Sequence, residues 1–288
     1  MKGINFKKDG DCWQMWGFPL FGGDQYQVLD RITNRLESVS SGSRGKRGGR
    51  RPMWVVTVNP EFVMAAVKDP SFKKILCKKT DLNVMDGIGL IWAREVLCPS
   101  FQLNSKWLRG LKVGIEVILG KHRQKVVTGS DLMMEMCRLA KSKNYRVFFL
   151  GGWGDGAAKT GRSIQCLLSG SDVKLGKRLQ IAWSPGQPKI KNAEVLAKIN
   201  KFKPDILLVA YGMKQQEEWI EKNLNKLNVG VVMGVGRSFD YYGGDLKRAS
   251  KVWRSRGLEW LYSLIKEPKR WRRQLVLPKF VWKVIREG

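Results

Sequence analysis

Short apolar, β-branched runs alternate along this chain with stretches whose apolar residues recur at helical spacing. In YQVLDRITNRLES (26–38), Val28, Ile32 and Leu36 share one helical face. MWVVTVN (53–59) is a continuous apolar run of strand length. PEFVMAAVKDPSFKKILCKK reads as a helix, a break at Asp69-Pro70 and a second helix, because the residue before a proline is pushed out of helical conformation. DLNVMDGIGL predicts a strand and a glycine turn, and GLIWAREVL a helix. Residues 125–168 read turn, helix, strand, glycine turn and helix. KLGKRLQIAWSPG holds a further strand, residues 193–224 read helix, strand, turn and helix, and NVGVVMGVGRSFDYYGG is a last strand with its turn.

Strands alternating with amphipathic helices predict an α/β fold with a mainly parallel sheet and helices on both faces. Ligands of such sheets bind beyond the carboxyl ends of the strands. That rule selects Thr57-Val58-Asn59, Asp86-Gly87, Gly151-Gly152, the segment from Tyr211 and Gly212 to Gln216, and the segment from Gly234 to Asp240. The alternation stops near Asp245. This predicts an α/β domain over 1–245, interrupted by a flexible basic loop at 40–52 (SSGSRGKRGGRRP), and an appendage over 246–288.

The appendage changes the picture most. It holds thirteen Lys or Arg against three Glu, and four of the chain's twelve Trp. Trp253, Trp260, Trp271 and Trp282 are spaced near whole helical turns, while Pro268 and Pro278 break the segment into two or three short helices. Cations interleaved with Trp suit an anionic membrane surface, and equally a nucleic acid. Trp260, inside GLEWLYSL, is expected to pack on the core; Trp271 and Trp282, flanked by Lys or Arg, are expected at an interface. The whole chain carries +28, so its partners are polyanions. Five scattered Cys without a CxxC pair suggest reduced thiols in a cytosolic setting. The one His, His122, lies in a basic stretch expected at the surface, which excludes a multi-His metal site. No apolar run approaches the ~20 residues of a membrane span, and MKGINFKKDGD lacks a signal-peptide core. The expected location is cytoplasmic, peripheral on the inner face of the membrane.

No GxxxxGK[ST] occurs and no GxGxxG opens a helix. Taken in order, however, VVTVNPEFV, DLNVMDGIGLIWA, VTGSDLM, RVFFLGG, INKFKPDILLVAYGMKQQEEWI, GVGRSFDYYGG and KRASKVWRSRGLEWLYSLIKEPKRWRRQLVLPKF closely resemble the WecG/TagA/CpsF glycosyltransferases. The resemblance implies a Rossmann-like core whose C-terminal appendage docks on the membrane and helps close the site. It implies inverting transfer of N-acetylmannosamine or a related sugar from a UDP-sugar to a polyprenyl-diphosphate-linked acceptor sugar, in cell-surface polysaccharide synthesis. It also implies self-association into a homo-oligomer.

By the same resemblance Asp86 is the catalytic base, with Thr57 and Asn59 beside it. Residue chemistry alone leaves Asp86 a helix cap or Asx turn, and Thr57 a plain strand residue. Gln216 and Glu217 match the end of a P-K-Q-E motif, with Lys214-Gln215 standing where the family has Pro-Lys. Asp240 matches a nucleotide-side aspartate, and Arg237 stands where a small residue is usual. Thr128, Gly129, Ser130 and Asp131 form a turn into a helix, the first three being substrate-side candidates, with capping as the structural alternative. Arg270 and Arg273 match arginines that reach over the site, where a guanidinium fork suits a diphosphate; a further basic position of the family's tail is Ser263 here. With no DxD motif, no cofactor and no metal are expected. The competing readings are a nucleic-acid-binding α/β protein, favoured by GSRGKRGGRR (42–51), and a non-catalytic membrane-associated member of the family. Without RRM, KH or helix-turn-helix signatures, no nucleic-acid partner is expected.

Overall fold

The computed structural model describes residues 12–40, 51–98, 103–122, 126–169, 178–186 and 190–287, without the side chains of Cys12, Ser40 and Arg270. The basic loop expected at 40–52 lies mostly outside them. The chain opens with a hairpin, β1 (Cys12–Met15) and β2 (Phe18–Phe21), followed by α1 (Gln25–Ser40). Next come β3 (Met53–Val58), α2 (Pro60–Lys68), α3 (Pro70–Lys78), β4 (Leu82–Met85), α4 (Ile88–Leu97) and α5 (Lys106–Ile118). The second half runs α6 (Gly129–Lys143), β5 (Arg146–Gly151), α7 (Gly156–Ser169), β6 (Gln180–Ser184), α8 (Asn192–Phe202), β7 (Ile206–Ala210), α9 (Gln215–Asn223) and β8 (Val231–Gly234). It closes with α10 (Ser238–Tyr242), α11 (Lys251–Ser255), α12 (Glu259–Lys266), α13 (Trp271–Gln274) and α14 (Val276–Glu287).

The eight strands form one sheet in the order β1-β2-β4-β3-β8-β7-β5-β6. Every pairing is parallel except the β1–β2 hairpin. Because successive strand residues point to opposite faces, β3 feeds two cores. Trp54, Val56 and Val58 join one cluster with residues of α2, α3, α4, α8, α9 and α14. Val55 joins the other, with residues of α1, α6 and α7. The α/β class with helices on both faces therefore holds. The break between α2 and α3 is made by Asp69, whose Oδ1 accepts from the Ser71 and Phe72 N–H groups ahead of a proline-led helix.

The appendage folds onto the core. Phe280, Val284 and Ile285 of α14 are buried in the first cluster, against α2 and α4. Trp16, in the β1–β2 turn at φ +46°, meets Phe280 edge-on at 6.2 Å and carries Lys283 over its ring. Short helices begin near the two prolines as the sequence predicts: a 3-10 turn starts at Pro268, and Pro278 lies in the first turn of α14.

Two expectations are corrected. Trp260 does not pack into the core; α12 has no buried residue, and Trp260 is exposed. His122 is buried at 9% exposure rather than on the surface, because the α5 turn brings Glu116 Oε2 within 3.1 Å of its Nε2. Among the described residues no helix is long and apolar enough to cross a membrane.

Candidate active site at the carboxyl ends of β3 and β4

A cleft of about 680 Å³ opens where the appendage crosses the carboxyl ends of β3 and β4. Its lining includes the polar Asn59, Asp86, Thr128, Asp131 and Glu259, together with Glu61 and the cations Lys251, Arg254, Arg256 and Arg273. α4, α5 and α14 add apolar residues to the same lining, among them Trp92, Val117 and Leu277.

Asp86 follows the last residue of β4. Its N–H donates to Val58 O at 2.6 Å, and it forms a single parallel bridge with Val127. The helix cap belongs to the next residue, Gly87, at φ +76° and with no side-chain bond, so Asp86 does not cap α4. Its carboxylate is turned the other way, where Oδ1 accepts from the Gly129 N–H at 3.3 Å. Burial pushes the Asp86 carboxyl up to about 7, helped by the negative charges of Glu259 and Asp131 and opposed by Gly129 N–H and Arg248. A carboxylate near neutrality that is reachable from a cleft suits a general base.

Thr57 lies behind Asp86 and is buried. It packs against Gly129 so closely that a Cβ there would stand 2.9 Å from Thr57 Oγ1. Asn59 lines the cleft, but its Oδ1 caps α2, accepting from Glu61 and Phe62 N–H at 3.0 and 3.1 Å. Thr128 caps α6: its Oγ1 accepts from Asp131 N–H and donates to Asp131 Oδ2 at 2.7 Å. Ser130 is turned away, its Oγ 2.9 Å from Ser238 Oγ. Arg273 crosses from the appendage to pair with Glu61, its Nη2 2.7 Å from Oε2. Arg270 sits in the 3-10 turn before α13, with its side chain outside the described residues.

The remaining candidates gather beyond β5, β7 and β8 and do not line this cleft. Gln216 and Glu217 are buried. Gln216 Oε1 accepts from Gly236 N–H at 3.0 Å, and its Nε2 donates to Glu217 Oε1 at 2.8 Å. Glu217 Oε2 accepts from Lys214 N–H at 2.8 Å, and burial pushes this carboxyl up to about 7. The pair thus ties the loop after β7 to the loop after β8. Lys214 enters α9 at φ +73°, a rare conformation for a residue with a side chain, and its Nζ pairs with Asp69 at 2.8 Å. Its cation is therefore directed at α3.

Gly151, at φ +93°, could not carry a side chain: a Cβ would stand 2.8 Å from Ala210 O and press on the Tyr211 ring. Tyr211 itself meets Trp219 edge-on at 5.7 Å. Gly152 and Gly212 continue the same turns at positive φ. Arg237 donates from Nε to Asp240 and from Nη2 to both Glu267 oxygens, at 2.9 and 3.1 Å. Its Nη1 is buried without a partner among the described residues, a donor set that could meet an anion. Burial raises the Asp240 carboxyl even against Arg237.

Sequence reasoning passed over Arg248, Arg254 and Glu259. Arg248 donates to Asp131, Thr128 and Glu259, and Arg254 stands 3.5 Å from Asp131. A usable signal existed: the appendage has three carboxylates among thirteen cations, and two of the three, Glu259 and Glu267, pair with Arg248 and Arg237. Among the described residues no three His, Cys, Asp or Glu side chains are grouped as a metal ion would need.

The cleft thus lies at the carboxyl end of a parallel α/β sheet under a basic appendage, and the similarity to known proteins covers both parts. The profile of the Glycosyl transferase WecG/TagA/CpsF family matches residues 14–107 and 109–288, and the chain belongs to this family. It is 30% identical over 233 residues to the N-acetylglucosaminyldiphosphoundecaprenol N-acetyl-beta-D-mannosaminyltransferase of Bacillus spizizenii, covering 81% of this chain and 79% of that protein. Proteins of the same name from Bacillus subtilis and Staphylococcus aureus are 28% and 27% identical, again over 81% of this chain and 79% of theirs.

Proposed function

We propose that the protein is an inverting glycosyltransferase that moves N-acetylmannosamine or a related sugar from a UDP-sugar to an acceptor sugar carried on a polyprenyl diphosphate. The observation that carries this reading is Asp86: a carboxyl held near neutrality, lining a cleft to which Lys251, Arg254, Arg256 and Arg273 bring cations. The relatives' name supports the acceptor, a diphosphoundecaprenol bearing N-acetylglucosamine.

Asp86 takes the proton of the acceptor hydroxyl as that oxygen attacks the anomeric carbon from the face opposite the nucleotide. The new C–O bond forms as the bond to the β-phosphate breaks, and UDP leaves with the electron pair. Cations from the appendage offset the charge of the departing diphosphate, so transfer is expected without a metal. Thr57 packs against Gly129, whose N–H donates to Asp86, and so supports the donor that holds the base. The Gln216–Glu217 network fixes the loops after β7 and β8 that would meet the donor. The enzyme works on the inner face of the cytoplasmic membrane as a peripheral protein, held by the basic appendage and its exposed Trp271 and Trp282.

The test is transfer from a panel of UDP-sugars to a synthetic polyprenyl-diphosphate-N-acetylglucosamine in anionic liposomes, with and without EDTA. Turnover that survives EDTA and disappears in Asp86→Asn supports the whole reading. Turnover abolished by EDTA sinks the metal-free step, and turnover undiminished in Asp86→Asn sinks the assigned base.

A further inference from the structure

The apolar part of the cleft lining has a composition that sugar chemistry does not need. Trp92 of α4, Val117 of α5, and Leu277 and Val281 of α14 wall it. The Trp92 Nε1–H is already given to Gly110 O at 3.0 Å, so the ring offers only hydrocarbon to the cleft. Two glycines one helical turn apart on α5 differ sharply. At Gly110 a Cβ would stand 3.1 Å from Ile285 and 3.2 Å from Trp92, so the helices there are in contact. At Gly114, which lines the cleft, a Cβ would meet nothing within 4 Å. The space beside Gly114 is therefore built into α5 where the packing against α4 and α14 opens.

This apolar lining runs out onto an exposed apolar strip. Ile118 and Val281 line the cleft and are also exposed. Trp107, Leu111 and Ile115 continue the strip along α5. Trp107 meets Trp282 of α14 edge-on at 6.0 Å, and both rings are more than half exposed. The cleft thus joins Asp86 and several cations to a hydrocarbon lining that is open to the surface. An amphiphile with a diphosphate head and an apolar chain matches that pairing of chemistry.

We infer that the gap between α4, α5 and α14, centred on Gly114, holds the first isoprene units of the lipid-linked substrate, with its diphosphate toward Lys251, Arg254 and Arg273. The inference rests on the proposed acceptor class and adds where its chain lies. A chain lying there would leave the cleft past Ile118 and Val281 onto the apolar strip, so the substrate passes sideways from the bilayer into the site.

The experiment is binding of a fluorescent three-isoprene prenyl diphosphate in detergent, followed by anisotropy, to the full chain and to Gly114→Phe and Gly114→Ala. Gly114 leaves a Cβ in open space, phenylalanine places a ring in that gap, and either substitution favours the helix. The expected result is saturable binding to the wild type and to Gly114→Ala, weakened at least about tenfold in Gly114→Phe. Thermal unfolding of Gly114→Phe and its protection by inorganic diphosphate should match the wild type. Equal binding by wild type and Gly114→Phe, or no saturable binding by the wild type, overturns the inference. Binding needs no sugar donor and no turnover. If the prenyl diphosphate binds as expected but no sugar is transferred, the groove stands and the proposed reaction fails; transfer to a polyprenyl acceptor undiminished in Gly114→Phe sinks the groove alone.

Discussion

Arg248 grips Asp131 as a fork, Nη1 to Oδ1 at 2.5 Å and Nη2 to Oδ2 at 3.0 Å, and so ties the start of the appendage to the first turn of α6. The same guanidinium also donates to Thr128 Oγ1 and Glu259 Oε1. Removing it leaves two carboxylates facing each other near Asp86 with less compensation. Arg248→Ala is expected to lose on the order of 2 kcal/mol of stability, less than a fully buried pair because Asp131 keeps contact with solvent. Urea unfolding of the two proteins measures this. Arg248→Lys should recover only part, since an ammonium cannot bind both oxygens in a plane.

The acid limb of activity should report Asp86. Its carboxyl is raised from 3.8 to about 7, so the base form appears only as pH rises through about 7. A profile of kcat/KM against pH should therefore climb with an apparent pKa near 7. Glu259 raises Asp86 by its charge, so Glu259→Gln should move the limb to lower pH. Stability runs the other way. The folded state holds this proton above the pH at which the unfolded chain releases it, so the contribution is full below 3.8 and is lost as pH rises through about 7. Glu217, raised from 4.5 to about 7, adds to the same fall. Unfolding free energy should decline across that window, and less steeply in Asp86→Asn.

Gln216 holds two loops through one side chain. Gln216→Ala would strand the Gly236 N–H and leave Glu217 Oε1 without its donor in a buried setting. A loss of about 1–3 kcal/mol is expected, seen as a lower thermal midpoint. If the Gln216–Glu217 pair positions the donor-side loops, KM for the sugar donor should rise more than kcat falls. A fall in kcat with KM unchanged would mean the pair supports only the fold.

What could be read from the sequence follows how local each feature is. β3 and the Asp69-Pro70 break were legible because a six-residue apolar run and an Asp-Pro cap act within a few residues. Asp86 was legible as a carboxylate after a strand, but its isolation from α4 and its Gly129 contact depend on a residue 43 positions away. Arg248 and Glu259 looked like generic members of a charged tail, since Asp131 lies 117 residues from Arg248. The β1–β2 hairpin was not legible although Trp13 and Met15 are buried around an exposed Gln14, because its two-residue turn sets a bulky Trp16 at positive φ before Gly17, where Asn or Asp is usual. α5 escaped notice because two glycines interrupt it and its apolar stripe faces outward. Trp260 was misread because GLEWLYSL has the spacing of a core helix, while α12 roofs a cleft instead.

The two sides of α14 should separate folding from surface binding. Phe280 is buried between Trp16 and the sheet-side cluster, whereas Trp282, two residues on, is half exposed against Trp107. Phe280→Ala opens a cavity and is expected to cost about 3–5 kcal/mol. Deleting residues 245–288 would strip Phe280, Val284 and Ile285 from the core together, so a truncated chain would lose membrane affinity and fold at once. The sharper probe is the pair Trp107→Ser and Trp282→Ser. Only an exposed edge contact is lost, about 0.5–1.5 kcal/mol, so the urea midpoint should barely move. Sedimentation with anionic vesicles should nevertheless fall several-fold, because interfacial Trp rings contribute to partitioning. Unchanged sedimentation in that double variant would place the membrane contact elsewhere on the appendage, with Trp271 and its neighbour Arg272 the next residues to change.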